Sequence, residues 1–278
     1  MHLVRWLTVA YLAIVLAMTF IERWLVYPAP PVASGNWTPP GDDYEDVWID
    51  VPPAGHSEEA TRVHGWFLAN SDADRALLYC HGNGTDISRL LEVGRLLRDQ
   101  LNVAVLLFDY RGYGKSDGRP IEAGVIADGL AAQRWLANRT GRSPDDVLLV
   151  GRSLGGGVAT ALAAEQGAEA LLLQSTFTRI TDAAASHYPW LPVRLLMQNR
   201  FDSLGRIERY DGPVFISHGT ADEVVPFEQS RQLHAAATGF KQFVEFDGRG
   251  HNDPQPPSYY DEVRQFLADI RTDNRPER

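Results

Sequence analysis

The chain has 278 residues, 44% hydrophobic and 22% charged, a balance close to that of ordinary globular domains and far from disordered, collagen-like or coiled-coil chains. Lysine and arginine number 26 against 36 aspartates and glutamates, and the formal net charge of -10 opposes a phosphate backbone, so no nucleic-acid partner is expected. A single cysteine, Cys80, excludes an internal disulfide framework and any multi-cysteine metal site.

Residues Trp6 to Ile21 carry no charge, with Arg5 before them and Glu22-Arg23 after. The run falls between a signal-peptide core of about 7–15 residues and a spanning helix of about 17–25, so length alone does not decide. The flanks say more. Trp6 at one end and Trp24 and Tyr27 at the other suit the two interfaces of a bilayer, and no clean Ala-x-Ala cleavage site follows. The reading is an uncleaved single-pass anchor over residues 1–27; a cleaved signal peptide and a buried or docking amphipathic helix are the alternatives. The α-amino group and Arg5 favour a cytoplasmic N-terminus and therefore an extracytoplasmic main domain, or a secreted or periplasmic one if the segment is cleaved.

Residues 28–45 hold a proline-rich stretch that sustains neither helix nor central strand and reads as a linker or irregular arm. From residue 46 to 270, apolar strand-like runs alternate with helix-like patterns. Strands are expected at Val47–Val51, Arg62–Ala69, Ala76–Cys80, Val103–Phe108, Val147–Val150, Ala170–Leu173, Val214–Ser217 and Phe243–Phe246. Helices are expected near Ile87–Leu97, Ala123–Ala137, Leu154–Glu165 and Phe227–Ala237. Runs such as Val103-Ala104-Val105-Leu106-Leu107-Phe108 are apolar on both faces, as a parallel strand covered by helices on each side must be. The class is therefore α/β, with a mostly parallel sheet and an early antiparallel edge. The segment 176–210 is too long for a simple crossover loop; it reads as a small helical insertion over the sheet's C-terminal edge, or else as an ordinary crossover helix. Residues 271–278 form a polar tail.

Gly151-Arg152-Ser153-Leu154-Gly155 follows a strand directly and opens a helix, and small residues either side let the backbone turn sharply enough to lift a serine hydroxyl above the sheet edge. A second match, Gly114-Lys115-Ser116-Asp117-Gly118, lies in a loop with Arg119-Pro120 after it, so Ser116 is not on an elbow. The same stretch resembles a phosphate-binding loop at its end but has Asp109 where the opening glycine belongs.

A serine nucleophile needs a base and a carboxylate that holds the base in the right tautomer. Among eight histidines, His2, His56 and His64 precede the main sheet, His187 is in the insertion, His218 ends a strand and His234 is in a helix; His251 alone sits in a Gly-flanked loop after the last strand. Asp222, after the preceding strand, is the candidate acid; Asp247 and Asp253 are too near His251 in sequence to reach its far nitrogen easily. The Leu154 amide and the loop His81-Gly82-Asn83-Gly84, most simply at Asn83, are the candidate oxyanion donors. Cys80 reads as a small apolar filler.

These motifs, together with Phe108-Asp109-Tyr110-Arg111-Gly112-Tyr113-Gly114, His218-Gly219-Thr220-Ala221-Asp222 and Gly250-His251-Asn252-Asp253, resemble the α/β-hydrolase fold serine hydrolases. Within these the chain is most similar to the ABHD-type branch with an N-terminal hydrophobic anchor, which borders on the serine aminopeptidase-like enzymes. The resemblance spans about Val47 to Leu267. It implies Ser153 as nucleophile, His251 as base, Asp222 as orienting acid and Asn83 and Leu154 as oxyanion hole, acting on an acyl ester or thioester with no cofactor and no metal. It also implies an architectural role for the Asp-Tyr-Arg-Gly-Tyr-Gly loop. Aminopeptidase-like amide hydrolysis, or an inactive scaffold serving as a binding module, are the alternatives.

Overall fold

The computed structural model describes residues 2–53 and 60–272; His56 and the 273–278 part of the expected tail lie outside them. Among the described residues eight strands form one sheet: β1 (Glu45–Val51), β2 (Thr61–Leu68), β3 (Ala76–Cys80), β4 (Ala104–Phe108), β5 (Val147–Arg152), β6 (Ala170–Gln174), β7 (Val214–Gly219) and β8 (Lys241–Phe246). Their order is β1-β2-β4-β3-β5-β6-β7-β8. β2 runs antiparallel to both β1 and β4, and every other pairing is parallel. The antiparallel edge and the parallel remainder are as the apolar patterning predicts. His64, however, sits inside β2 and belongs to the sheet instead of preceding it.

Side chains alternate across each strand, and the sheet divides the core accordingly. On one face Leu78, Leu106, Leu149, Leu171 and Ile216 pack beneath α3 (Glu122–Arg139), α4 (Leu154–Gln166) and α8 (Phe227–Ala236). On the other, Leu77, Val105, Leu148, Leu172 and Phe215 meet α2 (Leu91–Leu101) and α9 (Pro257–Thr272). The helix α9 is absent from the sequence expectation, although its signal is present. Pro257 opens it, and Tyr259, Val263, Phe266 and Ile270 recur at helical spacing and fall on its buried side.

Segment 176–210 holds three short helices, α5 (Ile180–His187), α6 (Val193–Leu196) and α7 (Ser203–Ile207). The first helix, α1, runs from His2 to Val26. Its apolar window is unburied along the N-terminal turns, but Glu22 and Val26 are buried in the body of the protein. The arm after it packs too: Trp37 donates its indole N–H to the Val32 carbonyl at 2.7 Å and meets the rings of His64 and Trp66 edge-on.

The loop after β4 is pinned from below. Arg111 and Asp128, both buried, form a multidentate pair with a shortest contact of 2.7 Å, and the Arg111 amide donates to the same carboxylate at 2.8 Å. A buried guanidinium left without its counter-charge costs about 3–5 kcal/mol. Asp128→Asn is expected to lower the folding free energy by about that amount, measured as a fall in the denaturant midpoint at unchanged slope.

Candidate active site

Four loops at the C-terminal ends of parallel strands converge, which is where open α/β sheets place their sites. They follow β3, β5, β7 and β8, and they carry Asn83, Ser153, Asp222 and His251 in turn.

Ser153 sits between β5 and the first turn of α4 with φ 52 and ψ -117, a conformation that an L residue tolerates only when its surroundings enforce it. Hydrogen bonds supply the enforcement. The Ser153 amide donates to Gln174 O at 3.0 Å, and its carbonyl accepts from the Gly156 amide at 2.9 Å and the Thr176 hydroxyl at 2.8 Å. The flanking glycines are needed for space. A Cβ on Gly155 would lie 2.0 Å from the Cys80 carbonyl oxygen, and one on Gly151 2.4 Å from the Gly155 oxygen. Both obstructions are backbone, so only glycine at these positions lets β5 turn into α4 and lets α4 pack against β3.

His251 Nδ1 lies 2.7 Å from Asp222 Oδ2, and its Nε2 lies 3.0 Å from Ser153 Oγ. The carboxylate accepts, so Nδ1 carries the proton and Nε2 is left to receive the serine hydroxyl. Asp222 does more than face one imidazole. Its Oδ1 accepts from the Val224 and Val225 amides, both at 2.8 Å, and His218 Nε2 approaches Oδ2 at 3.0 Å. Burial by itself would raise the Asp222 carboxyl, but the hydrogen bonds from His218, His251 and the Val225 amide outweigh it and hold the group well below the usual carboxylate range.

The other acids near His251 are spent elsewhere. Asp253 accepts from the Gly250 amide at 2.8 Å and Asp247 from the Thr220 hydroxyl at 3.0 Å. Two residues that sequence reasoning left without a role at the site hold its parts in place. Arg152 donates to the His251 carbonyl at 2.7 Å, tying the elbow to the histidine loop, and His218 supports Asp222 from below. His218 has a sequence signal in its position four residues before the acid; Arg152 has none, because a variable position in the elbow motif says nothing of the loop it reaches.

The loop after β3 stands against the elbow: a Cβ on Gly82 would come 3.5 Å from Ser153 Cβ. Buried His81 shapes this loop through its Nδ1, 2.7 Å from Gly82 O, and Tyr110 donates its hydroxyl to His81 O at 2.8 Å. Burial pushes the His81 imidazole down to about 4, so it is neutral near pH 7, and burial also raises the Asp109 carboxyl beside it above the usual carboxylate range. Asn83, Ser153 and Leu154 line one cavity. The Leu154 amide belongs to the first turn of α4, where backbone N–H groups have no partner within the helix.

Ser116 is placed differently. Its hydroxyl accepts from the His64 amide at 2.9 Å and donates to Asp109 O at 2.8 Å, as a buried brace between β2 and the loop after β4. Cys80 is buried, and burial pushes its thiol up, away from the reactive thiolate. Among the described residues no group of three His, Cys, Asp or Glu side chains is arranged to hold a metal ion.

The cavity above Ser153 measures about 330 Å³ and is mostly apolar. One wall comes from the 176–210 insertion, with Phe177, Ile180, Ala184, Leu191 and Leu196 among its residues. The opposite wall comes from α1.

Comparison with known proteins bears on the family and the fold. Residues 71–204 match the family model described as "Serine aminopeptidase, S33", a stretch that includes Asn83, Ser153 and Leu154 and ends before Asp222. The chain is 37% identical over 262 residues to an uncharacterized protein of Mycobacterium tuberculosis, covering 91% of this chain and 90% of that one. It is 30% identical over 264 residues to the alpha/beta hydrolase domain-containing protein WAV2 of Arabidopsis thaliana, covering 86% and 84%. Among solved structures, an esterase from Pyrococcus furiosus superposes with a TM-score of 0.67 at 20% identity, covering 87% of this chain and 97% of that one.

Proposed function

Because the chain belongs to the α/β-hydrolase family, we propose that it is a serine hydrolase that cleaves an acyl ester or thioester, with Ser153, His251 and Asp222 as its triad. The observation that carries this reading is the unbroken line from Asp222 through His251 to Ser153, at 2.7 and 3.0 Å, ending at the floor of an apolar cavity. Ser153 Oγ attacks the acyl carbonyl as His251 Nε2 takes the hydroxyl proton. The amides of Leu154 and Asn83 receive the negative charge on the carbonyl oxygen. Collapse expels the alcohol or thiol, which takes the proton from His251 and leaves Ser153 acylated. Water then attacks the acyl-enzyme, giving its proton to His251, and a second collapse releases the carboxylic acid and restores the serine hydroxyl.

The match to the aminopeptidase model favours a second reading, amide hydrolysis. An aminopeptidase needs a free carboxylate for the substrate's ammonium group. The carboxylate that lines this cavity, Glu22, is engaged with Gln198 and Asn199. The acyl substrate is therefore preferred. The α1 helix is read as an uncleaved anchor, which the burial of Glu22 and Val26 supports, since signal cleavage would strip one wall from the cavity; the extracytoplasmic placement of the hydrolase rests on the α-amino group and Arg5 alone.

A fluorophosphonate probe tests the proposal on full-length protein in carbonate-washed membranes. Labelling at Ser153, lost in Ser153→Ala, is the expected result, with faster turnover of p-nitrophenyl esters and acyl-thioesters than of an aminoacyl amide. Folded protein that takes no label would make the chain an inactive scaffold, and faster amide cleavage would make it an aminopeptidase.

A further inference from the structure

The helix read from sequence as a tether is also a wall of the cavity. Met18, Thr19, Glu22, Leu25 and Val26 line the space that Ser153 and Leu154 line from the other side. This contact is built, not incidental. Both oxygens of the buried Glu22 carboxylate are used: Oε1 accepts from the amides of Gln198 and Asn199 at 3.0 and 2.9 Å and from Asn199 Nδ2 at 2.8 Å, and Oε2 also faces the Gln198 amide. Asn199 Oδ1 in turn accepts from the Tyr27 hydroxyl at 2.8 Å and from the Glu122 amide at 2.9 Å. One buried asparagine thus locks the last turns of α1 to the insertion and to the start of α3.

Further up the helix, the Tyr11 hydroxyl reaches Trp190 O at 3.1 Å. The insertion therefore flanks α1 from Tyr11 to the Glu22 lock, about three turns, and nearly all of that stretch belongs to the uncharged run Trp6–Ile21. Solvent-exposed apolar side chains surround this junction: Phe20 is 76% exposed, Leu195 82%, Trp24 68% and Trp190 55%. Single exposed apolar residues are ordinary, but several gathered where an apolar helix leaves the domain mark a surface suited to lipid. A water-soluble ester needs no such route.

From this geometry we infer that the cavity between α1 and α5–α6 is an acyl-chain site that opens toward the bilayer, and that the substrate is an amphiphilic ester or thioester whose long acyl chain passes from the membrane along the Met18–Val26 face to Ser153. The inference rests on the serine-hydrolase reading for the chemistry, but the chain-binding site stands on the lining residues and the Glu22 lock.

The test uses full-length protein in phosphatidylcholine vesicles with p-nitrophenyl butyrate and p-nitrophenyl palmitate. Met18→Trp, from the α1 wall, and Ala184→Phe, from the α5 wall, each put bulk into the cavity. Each is expected to lower the palmitate-to-butyrate ratio of kcat/KM at least tenfold. A second readout needs no turnover: palmitic acid with a terminal diazirine should crosslink to residues 180–197, and Met18→Trp should remove that crosslink. Crosslinks confined to residues 2–14, or an unchanged ratio in both variants, would overturn the inference. Crosslinks that depend on Met18 in a protein that takes no fluorophosphonate would leave the acyl site standing and remove the hydrolase reading instead.

Discussion

Replacing Ser153 with alanine is expected to lower kcat for a p-nitrophenyl ester by on the order of 10⁶-fold, His251→Ala by a similar factor, and the double variant by little more. The non-additivity follows from the geometry: His251 Nε2 has its reacting partner in Ser153 Oγ at 3.0 Å, so removing either atom leaves the other with no proton to take or give. Residual activity should come from the oxyanion donors and the cavity, which neither substitution touches. Initial rates of the three variants, normalised to folded protein by circular dichroism, decide the matter. Losses that multiply in the double variant would mean that the two residues act independently and would break the triad reading.

Asp222→Asn should reduce kcat about 10⁴-fold through the imidazole tautomer. Four donors converge on the native carboxylate: the Val224 and Val225 amides on Oδ1, and His218 Nε2 and His251 Nδ1 on Oδ2. His218 Nε2 also faces the Val225 carbonyl at 3.1 Å, an acceptor, so that nitrogen carries a proton. An amide has no orientation that satisfies all four. Keeping its oxygen on the two backbone amides turns its NH₂ toward His251 Nδ1, which must then accept, and the imidazole proton moves to Nε2. In that state Nε2 cannot take the proton of Ser153. Rates measured across neutral pH, with the protein's denaturant midpoint as a control for folding, read the effect. An activity within tenfold of the wild type would show that another acid orients His251, and Asp253 and Asp247 would have to leave Gly250 and Thr220 to do so.

The fold class was legible because burial on both faces of a parallel strand leaves a continuous apolar run, and β3, β4 and β5 each carry one. The elbow was legible for a steric reason. Gly151 and Gly155 sit where any side chain would strike backbone, so the spacing of small residues around Ser153 reports the turn before any coordinates exist. The order of Ser153, Asp222 and His251, each in a loop after a later strand, likewise follows from a chain that adds strands one after another to the same sheet edge. The missed helix α9 had its pattern in plain view, with a proline at its start and apolar residues at helical spacing.

Other features belong to no local pattern. Arg152 bonds to a carbonyl 99 residues away, and His251 reaches the Asp222 carboxylate from the loop after the next strand; such pairings depend on where the sheet brings loop ends, which sequence spacing does not encode. The strongest case is α1. Sequence alone determined that this segment is apolar, of roughly bilayer length and flanked by aromatic residues, because hydropathy is a property of each residue taken singly. Only the tertiary structure decided that its last turns close the cavity over Ser153, because that depends on the Glu22 carboxylate meeting the amides of Gln198 and Asn199, 176 and 177 residues further along the chain.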